Sequence, residues 1–193
     1  MAESPFTFRE LTPRDWPDIE ALFGPRGACG GCWCMWWRVE RGGKLREATK
    51  GAPAKATFRE LVESGRVRGI LAFEGDVPVG WCSFGPRPSF PRLETVKAYR
   101  RDDGAAGWCV NCFFIAKDRR GRGVAGGLLD AAIAAARRAG APWLEAYPVV
   151  SKPGATVPAV FAFMGPETLF DTRGFREVQR LSPSRPVVRL ALS

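Results

Sequence analysis

The sequence predicts one mixed α/β (α+β) domain over residues 1–193, a central mixed sheet flanked by helices. Three observations carry this. Strand and helix patterns are interleaved along the chain, hairpin patterns stand at both ends, and no composition shift or linker divides it. A length of 193 residues suits a domain count near one at about 150 residues each.

Thr7–Leu11 reads as a short strand. Thr12-Pro13-Arg14-Asp15 opens a helix with Thr12 as N-cap and Pro13 at its first position, and Trp16, Ile19, Leu22 and Phe23 form its apolar stripe up to Gly24-Pro25. Gly27–Arg38 is rich in Gly, Cys and Trp, and residues 39–56 are charged and loop-like. Ala54–Ser64 predicts a second helix stopped by Gly65. Val67–Phe73 and Val77–Phe84 are strands joined at Glu74-Gly75-Asp76, a hairpin signal. Pro86–Asp103 carries three prolines and eight charged residues and reads as a loop over one face. Trp108–Ala116 is a near-continuous apolar run, as expected of a strand buried on both faces. Val124–Ala139 is the clearest helix, with Val124, Leu128, Ala132, Ala135 and Ala139 at three-to-four spacing, Arg137 and Arg138 in its last turn and Gly140 beyond. Trp143–Tyr147 is a strand, Val149–Met164 a loop, Thr168–Thr172 a helical turn, and Phe175–Val178 and Val187–Leu192 the closing strands.

Composition removes several function classes. Hydrophobic residues are 46% and charged residues 25%, values of a folded chain and not of a disordered one. The longest uncharged runs, Gly27–Trp37, Gly104–Ala116 and Pro153–Pro166, are shorter than the ~18 residues of a membrane span. No basic-then-apolar leader opens Met1-Ala2-Glu3-Ser4-Pro5, so a cytoplasmic location is expected. Twenty-nine Lys plus Arg against 20 Asp plus Glu give a net charge of +9, which favours polyanionic partners such as a phosphate-rich cofactor. Histidine is absent, which excludes Ser-His-Asp and Cys-His catalysis and any His-liganded metal.

The informative stretch is Cys112–Leu129. A buried strand runs through Arg119-Arg120-Gly121-Arg122-Gly123 into a helix near Val124. The first amides of a helix have no internal partner and carry partial positive charge, and glycines let a phosphate approach them. This is a pyrophosphate site by local chemistry. Gly121, Gly123 and Gly126 also match Gly-x-Gly-x-x-Gly, with Glu145 19 residues after Gly126, so a dinucleotide is an alternative ligand. It ranks second, because Lys117–Arg120 separate the strand from the first glycine and a hairpin precedes it.

Arg120-x-x-Gly123-x-Ala125 resembles the signature of the Gcn5-related N-acetyltransferase (GNAT) superfamily, and Leu169–Phe175 is similar to the Tyr-x-x-x-Gly-Phe end of that fold. The similarity is strong from Val67 to Val178. Cys32–Arg38, Pro78–Cys82 and Arg185–Arg189 are similar to a bacterial branch of the superfamily whose substrates are generally unassigned. The resemblance implies a single GNAT-like domain and acetyl-CoA as cosubstrate. Its pyrophosphate would lie on the amides of Gly121, Arg122, Gly123, Val124, Ala125 and Gly126, with Arg120 and Arg122 beside it. The backbone of Phe114 and Ile115 would pair with the pantetheine. The acceptor would be a small-molecule or peptide amine; neither nucleic acid, membrane nor metal is expected as a partner, and a homodimer stays open.

An amine near pKa 10.4 must lose a proton to attack. Transfer would be direct, from the thioester to a bound amine, with a carboxylate or water as base; Glu145 is the first choice, its Leu-Glu context being similar to the Leu-Glu-Val of ribosomal-protein N-terminal acetyltransferases. The family's usual tyrosine acid is replaced by Phe170, so Tyr147, on the strand face of Glu145, is the substitute. The lost tyrosine leaves a catalytically silent acyl-CoA-binding module as the alternative. On a regular strand Cys109 and Cys112 would point to opposite faces, against a disulfide or metal pairing. Cys29-x-x-Cys32 alone is half a zinc site. Trp33, Trp36 and Trp37 are expected in the core and the wall of an apolar acceptor site.

Overall fold

Val124, Leu128, Leu129, Ala132, Ile133 and Ala136 make one apolar stripe, and all six are buried. A fully buried Leu or Ile is worth roughly 1.5–3 kcal/mol, so this stripe fixes where the helix lies. The structure, a computed structural model, describes residues 4–40, 50–103, 106–150 and 162–192. Its elements are β1 (Phe6–Glu10), α1 (Trp16–Phe23), α2 (Gly51–Glu63), β2 (Gly69–Glu74), β3 (Val77–Pro86), α3 (Pro91–Thr95), β4 (Trp108–Ile115), α4 (Val124–Arg138), β5 (Trp143–Ala146), α5 (Glu167–Asp171), β6 (Arg176–Ser182) and β7 (Arg185–Ala191).

The strands form one seven-stranded sheet in the order β1-β2-β3-β4-β5-β7-β6. Only β4 and β5 run parallel; every other neighbouring pair is antiparallel. α4 covers one face, packing on Ile70, Ala72, Phe84, Val110 and Leu144. α1 and α2 cover the other, joined by Trp33, Met35 and Trp81 in an aromatic cluster. Helix and sheet approach closely at Gly80, where a Cβ would meet Val124 Cγ1 at 2.8 Å.

The expected elements are present with three differences. The helix opening at Thr12 starts as a 3-10 turn, Pro13–Asp15, and the Asp15 carboxylate accepts the Thr12 N–H at 2.6 Å and an Arg9 N–H at 2.7 Å. Pro86–Asp103, expected as loop, contains α3 and two 3-10 turns, Arg87–Ser89 and Lys97–Tyr99, because Phe90 and Leu93 are buried and the enclosed Arg87 bonds to Glu94 and to the Tyr99 carbonyl. Third, β4 is not regular. Ser83 pairs with Cys112 but Phe84 pairs with Val110, leaving Asn111 as an extra residue. Such a bulge inverts the alternation beyond it. Cys109 and Cys112 therefore lie on one face and Val110 and Phe113 on the other, which corrects the expected opposite placement of the two cysteines. The loop expected over 149–164 falls largely outside the described residues, as does 41–49.

Candidate active site

β5 pairs with β4 only at Trp108↔Leu144, Cys109↔Glu145 and Val110↔Ala146. Past Val110 the two parallel strands part, while β4 stays bonded to β3 as far as Ile115. Among the described residues no strand pairs with the β5-side edge of Cys112–Ile115, so backbone groups there are open to a ligand. Asn111, at the fork, is buried, and its Oδ1 has no hydrogen-bond partner. Beyond the fork lies a cleft of about 1020 Å³. Phe113, Phe114 and Ile115 form one wall, Phe163, Gly165, Pro166 and Leu169 another, and Arg120 and Ala125 its end.

That end is the N-terminus of α4. Gly123 stands at the N-cap with φ 86°, and no side chain caps the helix. Gly127 is the first residue to bond back, N–H to Gly123 O at 3.2 Å. The amides of Val124, Ala125 and Gly126 thus lack helical partners and carry the positive end of the dipole. A Cβ on Gly123 would meet nothing within 4 Å, so glycine is required by its backbone angle and not by crowding. Gly121 also has positive φ, 74°. Arg120 Nε donates to Ile115 O at 3.1 Å, tying the turn to the end of β4. Arg122 turns toward β2, ion-paired with Glu74 at 2.9 Å. Glu74 also takes Arg119, whose hydrogen bond leads the effects holding its carboxyl below the usual range. A Cβ on Gly126 would meet Arg173 at 2.7 Å, and that arginine is held by Asp130. Of the expected cofactor residues, Phe114, Ile115, Arg120 and Ala125 line the cleft, and Gly121, Gly123, Val124 and Gly126 offer backbone at its end. Arg122 is engaged elsewhere.

Glu145 and Tyr147 share a strand face as expected, but in a closed setting. Both are buried. The Tyr147 hydroxyl donates to Glu145 Oε1 at 2.6 Å and accepts from Arg87 Nε at 3.4 Å. Arg101 Nε and an Arg189 N–H donate to Glu145 Oε2, each at 3.0 Å. Arg87 also pairs with Glu94 at 2.7 Å and Arg189 with Asp103 at 2.8 Å. Three arginines thus face three carboxylates. Burial, with Cys109 and Glu145 nearby, pushes the Tyr147 hydroxyl well above its usual range. Neither residue lines the cleft or the cavity beside it, so neither expected proton carrier has an open face toward a substrate. Phe170, at the family's acid position, is buried edge-on to Phe113 and Phe175.

The neighbouring cavity, about 390 Å³, shares Phe113, Phe114 and Phe163 with the cleft. Its walls are aromatic and sulfur-bearing: Trp36, Trp37 and Tyr99 with Cys29, Cys32, Cys34, Cys112 and Met164. Among the described residues Lys50 and Arg185 are its charged members, and no carboxylate lines it. All six cysteines are free. Among the described residues no group of three or more metal-binding side chains is placed to hold an ion. The sequence offered one signal for this chemistry, a cationic Arg38 closing an otherwise uncharged Cys/Trp run.

The sequence pattern of the acetyltransferase (GNAT) family matches residues 33–152, more than half of the chain. No curated protein matches. Solved structures share the fold at low identity. A GCN5-related N-acetyltransferase from Kribbella flavida is 20% identical with a TM-score of 0.56, covering 97% of this chain and 98% of that one. An acetyltransferase from Thermus thermophilus is 19% identical, TM-score 0.53, covering 97% of each. A Salmonella typhimurium structure, described with its cofactor acetyl-CoA, is 16% identical, TM-score 0.53, covering 98% of this chain and 95% of that one. With more than half of its length matched by the family pattern and the same fold throughout, this chain belongs to the GNAT acetyltransferase family.

Proposed function

We propose that this chain is an N-acetyltransferase that moves an acetyl group from acetyl-CoA to an amine on an apolar framework. The observation that carries the reading is the fork between β4 and β5, opening a strand edge that leads from the uncapped N-terminus of α4 to the aromatic cavity. The amides of Val124, Ala125 and Gly126, with Arg120, would hold the pyrophosphate. The edge of Phe114 and Ile115, and the unpartnered Asn111 Oδ1, would hold the pantetheine amides. Arg122 would act at longer range, through its charge. The fit is backbone-made, as a ligand with a pyrophosphate and two amides needs.

The acceptor would enter the 390 Å³ cavity. Its walls favour an apolar amine, and Lys50 and Arg185 favour a carboxylate on that amine over a second positive charge. With Glu145 enclosed, the proton of the amine would pass to water or to a cysteine sulfur. Glu145 and Tyr147 would instead lock β5 to β7 and to the 86–103 segment.

Two measurements test this. At a hundred times its Kd, acetyl-CoA stabilises the fold by ~2.7 kcal/mol, roughly 5–10 °C at this size, while NAD gives no shift. Coenzyme A release is then followed over a panel of amines. Apolar and amino-acid-like amines should turn over and polyamines should not. Binding without turnover on any amine would favour an acyl-CoA-binding module.

A further inference from the structure

The aromatic cavity carries a charge that its own walls do not balance. Arg185 opens β7, is half-buried, and lines the cavity beside Met164, where its Nη1 lies 3.9 Å from the thioether sulfur. A thioether is a weak acceptor. Arg87, Arg101, Arg119, Arg173 and Arg189, all at least partly buried, each hold a carboxylate. Among the described residues Arg185 has none. A guanidinium stays charged at any working pH, and set against apolar walls it loses hydration without a counter-charge. The missing partner is an anion.

Tyr99 stands beside it as a hydroxyl donor. Its ring is edge-on to Trp37 at 5.4 Å and to Tyr147 at 5.3 Å, and its carbonyl accepts an N–H of the buried Arg87, so the side chain is fixed from behind. Among the described residues nothing bonds to its hydroxyl. Burial raises that hydroxyl above its usual range, with Arg185 and Arg92 pulling the other way, so it keeps its proton to donate. Lys50 brings a second cation to the cavity. Trp36, partly in solvent under the Arg92 guanidinium at 3.9 Å, forms the outer apolar wall and Trp37 the inner one. With no carboxylate to hold an ammonium and two like charges opposing it, an amine there is favoured in the neutral form that attacks. A volume of about 390 Å³ is at the lower end for ligand pockets and suits one small molecule better than a chain.

We infer that the acceptor is a free amino acid with a large apolar side chain, and that Arg185 is the residue that selects it. This rests on the acetyl-CoA reading above and narrows its acceptor. The guanidinium fork takes the carboxylate in two N–H···O bonds and the Tyr99 hydroxyl adds a third. The side chain lies against Trp36 and Trp37, and the amine faces Phe113 and Phe114, where cavity and cleft meet. Its nitrogen attacks the thioester carbonyl directly. The N–C bond forms, the S–C bond breaks, coenzyme A leaves as thiolate, and the surplus amine proton passes through water to that thiolate. The N-terminal residue of a peptide has no carboxylate to offer Arg185 and is selected against.

The test follows coenzyme A release by the full chain with L-tryptophan, L-phenylalanine and L-methionine, each beside its decarboxylated amine and its carboxamide. At least one acid should exceed both of its neutral analogues by more than about tenfold in kcat/KM, the difference lying in KM. Arg185→Gln should erase that margin by raising KM for the acid and not by lowering kcat, and Arg185→Glu should reverse it. Tyr99→Phe should weaken the acid by roughly threefold or more. In all three variants acetyl-CoA should still raise the melting temperature as in the wild type. Should Arg185→Gln not fold, the wild-type margin and Tyr99→Phe decide. Equal turnover of acid and amine, amines accepted with every acid refused, or Arg185→Gln lowering both alike overturns this assignment and leaves the acetyl-CoA reading standing. No binding of acetyl-CoA, or no turnover on any amine, overturns both.

Discussion

At the scale of the residue, Glu145 shows how a chemically suggestive side chain is claimed by structure. Its two oxygens receive a tyrosine hydroxyl and three arginines, and it has no exposed surface. Removing one member of a buried charged set costs roughly 3–5 kcal/mol because the remaining charges stay uncompensated. Glu145→Gln should therefore lower the melting temperature by at least roughly 6 °C, read by calorimetry. It should leave turnover per folded chain within about threefold. A base would lose 10²–10⁴-fold, so a drop of that size with a displaced pH profile would return Glu145 to the chemistry. The two-residue strand period was enough to put Tyr147 beside Glu145. It could not show Arg87, Arg101 or Arg189, which arrive from the 86–103 segment and from the neighbouring strand β7, each more than 40 positions away in sequence.

At the scale of the element, α4 is positioned by Gly80 below it and begins at Gly123. Gly80→Val would push Val124 out of contact at 2.8 Å. An overpacked core costs typically ~1–3 kcal/mol, and here the shift would also move the helix amides, so weaker acetyl-CoA binding should accompany lower stability in a titration. Gly123→Ala meets no clash, so its cost is conformational, ~1–2 kcal/mol for a left-handed alanine. It too should weaken acetyl-CoA, with little change for an amine bound in the aromatic cavity. α4 was legible because its signals are local: spaced Ala and Leu, arginines in the last turn, glycine beyond. The Pro86–Asp103 excursion was not, since its short helix depends on Phe90 and Leu93 finding cover elsewhere. The bulge was hidden for a related reason. Alternation along Trp108–Ala116 is invisible when all residues but Asn111 are apolar, and only pairing with β3 reveals Asn111 as the extra residue.

At the scale of the whole molecule, a net charge of +9 has two consequences. Acetyl-CoA should bind more weakly as salt rises, because exposed arginines such as Arg120 act over a screening length of only ~8 Å at physiological ionic strength. Stability should also fall in acid. Burial raises the Asp15 carboxyl but bonds from Arg9 and Thr12 more than offset it, an Arg189 hydrogen bond lowers Asp103, and Arg119 lowers Glu74. Groups depressed on folding stabilise above the ordinary carboxylate range and lose that contribution as pH drops through their folded values. Thermal scans should be level from pH 7 to about 5 and decline below about 4. The architecture holds a further consequence for descent. Since one residue at position 111 reverses the facing of all that follows it in β4, the gain or loss of a single codon could exchange sulfur for a phenyl ring at the junction of the two chambers. Relatives could thus diverge in acceptor chemistry without any substitution there.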